Sequence, residues 1–212
     1  MNRFVDFTTE AFKGKTVGRI IFNWYVKNEC KDINGEVLDL AGGGASYYRY
    51  LPKGLSVTRT NIEDNNIDIR VDINKDLPFG NDLFDVIFLF NALYIIKGRK
   101  SLLIEIKRIL KNGGLFFIST PLIVGEIPEP DDFVRLTFQG ISDELKEAGF
   151  NNFEIKRMGG RFTSSTSLLH QFYYFNIIRF FVYGVAILFD RLTENFQKKS
   201  PAPLGYFCVV KK

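Results

Sequence analysis

Apolar residues recur along the chain with two spacings. Glu36–Leu40 (EVLDL), Phe84–Asn91 (FDVIFLFN) and Leu115–Thr120 (LFFIST) are short runs with apolar residues on both faces. Strands sandwiched between helices need that pattern. Leu55–Ile62 and Ile67–Val71 are second and third strand candidates, and Phe153–Arg157 and Tyr206–Lys211 close the series. Helical spacing appears at Leu102, Leu103, Ile106, Ile109 and Leu110, with a stop at Asn112-Gly113-Gly114. Residues 8–30 read as a helical cap that ends before the turn dipeptide Asn34-Gly35, and Ser46–Leu51 as a short helix before Pro52. Leu77–Asp82 is turn chemistry, and Pro121 ends its strand. Ser142 is placed to cap a helix with Asp143 and Glu144 in its first turn, ending at Gly149.

Strands alternating with helices predict an α/β fold, a Rossmann-like three-layer sandwich on a doubly wound, mostly parallel sheet. The last two strands have no regular crossover unit between them, so the final one is expected to run antiparallel. The expected organisation is one domain over 1–212: an N-terminal helical cap (1–34), a ligand-binding core (35–157), an apolar helical insert (158–203) and a closing strand (204–212). The insert contains LLHQFYYFNIIRFFVYGVAILFDRL from Leu168. Its longest unbroken apolar run, Phe180–Phe189, is short of the ~20 residues that span a bilayer. His170, Gln171, Asn176 and Arg179 do not gather on one face, which predicts a poor amphipathic helix. Packing on the domain, contact with a second copy and docking on a membrane surface through 168–192 all remain open.

Composition narrows the chemistry. The net charge of +4 is spread out, and clusters such as Lys97-Gly98-Arg99-Lys100 are too short for a nucleic-acid stripe. Cys30 and Cys208 stand far apart, so neither a disulfide framework nor a cysteine zinc site is expected, and a reducing cytoplasmic setting fits. With His170 as the single histidine, no histidine-ligated metal centre is expected. The opening MNRFVDFTTE lacks the apolar stretch of a secretion signal.

The densest chemical signal is VLDLAGGGA at 37–45. A strand that ends on Asp39 and turns through Gly42-Gly43-Gly44 offers a ligand bare backbone N–H groups. A dinucleotide fingerprint would place a third glycine at position 47, which is Tyr47, so a pyrophosphate ligand fits poorly.

VLDLAGGGA, then DLPFGNDLFDVIFLFNALYII, then RILKNGGLFFISTP, resemble in order and spacing the small class I S-adenosylmethionine-dependent methyltransferases. The resemblance covers about residues 36–157 and implies a seven-stranded sheet with an antiparallel last strand. It implies that Asp39 orients the methionine part of S-adenosylmethionine, usually through its ammonium group. Gly42, Gly43 and Gly44 would pass beneath the cofactor, with Ala41 standing at the family's first turn glycine. Asn61 falls where an acid takes the ribose hydroxyls, with Glu63 as the fallback. Asp72 matches the cap on the adenine amino group and Ile73 an adjacent apolar wall, while Asn91 and Ala92 line the cofactor from below. Downstream, PEPDDFVRLTFQGISDELKEAGF is similar to the substrate-side segment of methyltransferases of surface-polysaccharide and other glycan biosynthesis, through Pro130, Asp132, Phe133, Arg135 and Thr137.

The chain departs from that pattern at Ala41 and Ala45, which fit the turn where φ stays negative. It departs again at Tyr94-Ile95, where many relatives carry a Glu-His pair, and at Ile127, where a histidine often stands. Methyl transfer from a sulfonium is an in-line displacement that depends mainly on positioning, with modest help from a base. Asp132, Tyr94 and His170 are the candidates for that proton, and an Asp132–Arg135 ion pair that only holds the loop is the competing role. The expected activity is methyl transfer to a small-molecule or glycan-type acceptor, at oxygen. The alternatives are a non-catalytic binder of S-adenosylmethionine or S-adenosylhomocysteine and, further off, a nicotinamide oxidoreductase.

Overall fold

A computed structural model of the chain describes residues 3–42, 47–62, 67–127 and 131–212. Its seven strands form one sheet in the order β3-β2-β1-β4-β5-β7-β6. β1 (Glu36–Leu40), β2 (Ser56–Asn61), β3 (Ile69–Arg70), β4 (Phe84–Phe90) and β5 (Leu110–Pro121) are parallel neighbours. β7 (Gly205–Lys211) runs antiparallel between β5 and β6 (Asn152–Met158), as expected for the closing strand. Helices α3 (Arg99–Ile109) and α4 (Phe138–Glu147) cover one face, and α1 (Arg3–Phe12), α2 (Val17–Glu29) and α6 (Asn176–Leu192) the other.

Central strand β4 shows why it reads as apolar throughout. Phe84, Ile87 and Leu89 face the α3–α4 layer, whereas Val86, Phe88 and Phe90 face the α1–α2–α6 layer. A register shift between Phe84 and Val86 resets the alternation. The matching irregularity in β5 absorbs Asn112-Gly113-Gly114. These residues were expected to stop a helix, but α3 has already ended at Ile109. Gly113 sits at φ +79°, which lets the strand bulge there.

Two helix boundaries also differ from expectation. The expected cap at 8–30 is two helices, broken where Gly14 takes φ +73°, and α2 is capped by Thr16, whose hydroxyl accepts from Arg19 N at 3.2 Å. α4 begins at Phe138 rather than after Ser142, because the Thr137 hydroxyl accepts from Gly140 N at 3.2 Å.

The insert folds as α5 (Arg161–Leu168), α6 and α7 (Glu194–Gln197). Counted from its true start at Asn176, α6 is amphipathic, contrary to expectation. Asn176, Arg179 and Asp190 point toward the protein, together with Tyr183 and Ala186, the helix's two buried residues. Among the described residues no helix is long and apolar enough to cross a membrane.

Candidate functional site

In an open parallel sheet, ligands sit beyond the carboxyl ends of the strands, where the chain order reverses. Here that point lies between β1 and β4, whose ends carry Asp39 and Asn91. The Asp39 side chain is fully buried. Its Oδ2 accepts hydrogen bonds from the hydroxyls of Tyr47 and Tyr48, while its Oδ1 has no partner among the described residues. Burial pushes the Asp39 carboxyl up to about 6, against the pull of the two tyrosyl donors and Arg59. Tyr47, which breaks the dinucleotide pattern, therefore has a positive task that the sequence reading missed. The one available signal was that departure from glycine.

Gly42 closes the turn by donating its N–H to Thr60 O at 3.0 Å. A Cβ at this position would lie 2.4 Å from the Asp39 carboxylate, so the close approach requires glycine. Ala41 adopts φ +63°, not the negative φ expected of an alanine there. The left-handed region costs a Cβ-bearing residue ~1–2 kcal/mol, part of which glycine's unfolded-state entropy cancels. Ala41→Gly should therefore raise stability by about 0.5–1 kcal/mol, read as a higher midpoint in thermal or urea unfolding. Gly43, Gly44, Ala45, Glu63 and Pro130 lie outside the described residues.

The other cofactor-side candidates follow the same edge of the sheet. Asn61, at the end of β2, accepts from Ile62 N through Oδ1 at 2.7 Å. Asp72, beyond β3, accepts from Asn74 N at 3.0 Å and pairs with Lys75 at 3.4 Å. These partners, the Asn74 N–H foremost, hold its carboxyl below the usual range. Ile73 is buried among Val71 and Leu77 in the α3–α4 layer. Asn91 takes φ +51°, a conformation asparagine tolerates, and donates its N–H to Ser119 O and Oγ at 2.8 and 3.1 Å. Ala92 is buried beside it.

On the acceptor side, Asp132 and Arg135 form a two-point ion pair, and Asp132 also accepts from Ile127 N at 2.9 Å. Arg135 first, then that N–H, hold the Asp132 carboxyl below its ordinary value. The Arg135 guanidinium lies 5.2 Å from the centre of the Tyr94 ring, and Phe133 N donates to Tyr94 O at 3.0 Å. Lys97 Nζ stands 4.7 Å from the centre of the Phe133 ring. Burial, and then the nearby Asp132 charge, raise the Tyr94 hydroxyl above its usual value. Tyr94, Asp132, Phe133 and Arg135 thus form one cluster. His170 is elsewhere, in a 3₁₀ turn at 170–172 between α5 and α6, with a buried Nδ1 that has no partner among the described residues. No group of three or more His, Cys, Asp or Glu residues able to hold a metal occurs among the described residues.

Residues 38–118 match the family model described as a methyltransferase domain. No curated protein matches the chain in sequence. Among solved structures, an S-adenosylmethionine-dependent methyltransferase from Archaeoglobus fulgidus is similar, with TM-score 0.63 and 14% identity over 96% of this chain and 97% of that one. A putative methyltransferase of Haloferax volcanii, solved in complex with the Trm112 methyltransferase activator, has TM-score 0.59 and 17% identity, covering 97% of this chain and 96% of that one. Phosphoethanolamine N-methyltransferase 2 of Haemonchus contortus, solved with S-adenosyl-L-methionine, has TM-score 0.58 and 16% identity over 90% of this chain, which spans 52% of that one. Residues 38–118 thus match a methyltransferase-domain model in sequence, and the chain around them shares the fold of solved S-adenosylmethionine-dependent methyltransferases.

Proposed function

We propose that the chain transfers a methyl group from S-adenosylmethionine to a hydroxyl of a small-molecule or glycan-type acceptor. The observation that carries this reading is the buried Asp39 carboxylate beneath Gly42, with one oxygen left unpartnered among the described residues. A buried acceptor of that kind calls for a donor, and an ammonium group supplies a charge-assisted one. Asp39, Ala41, Gly42, Asn61, Asp72, Ile73, Asn91 and Ala92, with Gly43 and Glu63, are proposed to hold the cofactor. When bound, it supplies a methyl group already activated on a sulfonium. Asp39 orients the aminoacyl end, Gly42 admits it close to the backbone, and Asp72 accepts from the adenine amino group.

On the acceptor side, Tyr94 offers a neutral hydroxyl that can donate to or accept from the incoming oxygen. Asp132 is paired with Arg135 and its carboxyl is depressed, so it stays ionised and is a weak base; its stronger role is to shape the loop. This favours positioning over base strength, and it is also the observation that keeps the non-catalytic reading in play. The glycan reading rests on the resemblance around Asp132, Phe133, Arg135 and Thr137. It places the protein in polysaccharide biosynthesis in the cytoplasm, with residues 168–192 meeting a membrane or a second copy.

Calorimetric titration with S-adenosylmethionine, S-adenosylhomocysteine and NAD tests the cofactor. Binding of NAD alone would overturn the reading, and tight S-adenosylmethionine binding without methyl transfer to any acceptor fraction would favour a silent binder. Asp72→Ala should weaken S-adenosylmethionine more than tenfold, a loss of over about 1.4 kcal/mol. Unchanged affinity would move the adenine pocket elsewhere.

A further inference from the structure

Helix α6 carries its polarity on the side that faces the protein. Asn176 Nδ2 donates to Phe12 O at 2.9 Å, and Arg179 donates to Gly14 O at 3.2 Å and to Tyr173 O at 2.8 Å. Asp190 accepts from Phe162 N and Thr163 N at 2.9 and 3.0 Å, closing the start of α5. The outward side is apolar. From Ile177 to Phe189 the exposed residues are Ile177, Ile178, Phe181, Val185, Leu188 and Phe189, with no polar side chain among them. Tyr174 (79% exposed) and Phe175 continue this face at one end of the helix, and Leu192 and Phe196 (84% exposed) at the other. α6 alone runs for about 25 Å, and apolar surface of this continuity marks an interaction site.

The charges at the ends of this face say what covers it. Lys13 and Lys15 flank the turn that Asn176 and Arg179 hold, at the amino end of α6. Arg191, Lys198 and Lys199 are exposed at the carboxyl end. The neighbouring acids are mostly turned inward: Asp6 and Glu10 are buried with Lys27 and Arg49 as partners, and Asp190 is spent on α5, which leaves Glu194 exposed. Two copies joined symmetrically through this face would set cations against cations whether their helices ran parallel or antiparallel. Between the ends no polar group would fix their register. A sheet of anionic headgroups over acyl chains complements both the basic ends and the apolar centre.

We propose that the outward face of α6, with its aromatic ends, docks the protein on an anionic phospholipid surface. The proposal goes beyond methyl transfer, to which it adds that the acceptor is met at a membrane, and its test is independent of that chemistry. The full chain is floated with phosphatidylcholine vesicles with and without phosphatidylglycerol, at low and high salt. Binding to the anionic vesicles at least tenfold tighter than to neutral ones, and weakened by salt, is the expected result. Phe181→Glu with Leu188→Glu should abolish flotation, and Lys198→Glu with Lys199→Glu should weaken it several-fold. An unchanged melting temperature and unchanged S-adenosylmethionine titration would show that the variants still fold. Failure of the wild-type chain to float with anionic vesicles would overturn the proposal while leaving the methyltransferase reading standing. Equal binding to neutral vesicles would overturn its charge component. A dimer in sedimentation that Phe181→Glu dissociates, without flotation, would assign the face to a second copy.

Discussion

Asp39→Asn should weaken S-adenosylmethionine binding by on the order of a hundredfold while making the ligand-free protein more stable. A buried charge-assisted hydrogen bond contributes about 2–3 kcal/mol, which sets the size of the binding loss. The stability gain follows from burial. The folded carboxyl titrates at about 6, above the ordinary carboxylate value, so the folded state binds the proton more tightly than the unfolded chain does. Stability associated with this group is fullest in acid and declines as pH rises from about 4 through about 6. At pH 8 the ionised carboxylate costs the fold roughly 2–3 kcal/mol, which asparagine avoids. Urea unfolding at pH 5 and pH 8, beside calorimetry, separates the two effects: the wild type should lose stability between these pH values and the variant should not. Cofactor affinity of the wild type should rise over the same interval as Asp39 ionises. A variant that is destabilised at pH 8, or that binds the cofactor normally, would contradict the account. Tyr47 and Tyr48 tune the balance, because their hydroxyls favour the charged form that the ligand needs.

Gly42→Ala should be the most damaging single methyl group in the site. The added Cβ would meet the Asp39 carboxylate at 2.4 Å, and two tyrosyl hydroxyls on Oδ2 oppose the rotation that would clear it. Overpacking of this kind costs ~1–3 kcal/mol. The expected outcome is a fall of several degrees in melting temperature and at least a thirtyfold loss of S-adenosylmethionine affinity. The double variant Asp39→Ala with Gly42→Ala should recover the melting temperature without the affinity. Unaltered binding by Gly42→Ala alone would mean that the ligand does not enter beneath this turn.

The strands at the centre of the sheet were legible because burial on both faces leaves a continuous apolar run, as in β1 and β4. β3 was legible only in outline, since it is two residues long and depends on its neighbour for definition. The start of α4 was misread because Ser142 and Thr137 are both competent caps, and only the hydroxyl bond to Gly140 N decides between them. Asp39 and Gly42 stood out because their segment falls in order and spacing with two further blocks, around Phe84–Asn91 and Leu115–Thr120. The tyrosine pair was invisible, since its meaning depends on how the turn folds back on the strand. The downstream signature reads differently in three dimensions. Asp132 and Arg135 shut the loop, Phe133 hangs from Tyr94 O, and Thr137 caps α4, so much of that pattern encodes loop architecture as well as any contact with an acceptor.

The placement of β7 bears on the order in which the molecule assembles. β6 is joined to the rest of the sheet through β7, and the whole apolar insert separates the two strands in sequence. β6 therefore cannot be locked in until a distant segment has returned to pair with it. Such long-range closure is slow, because loop entropy is lost before the contacts form. Throughout that delay the apolar outward side chains of 168–192 stay in water, as they do in the folded protein. A chain made this way gains from meeting a protecting surface early, while it is still folding.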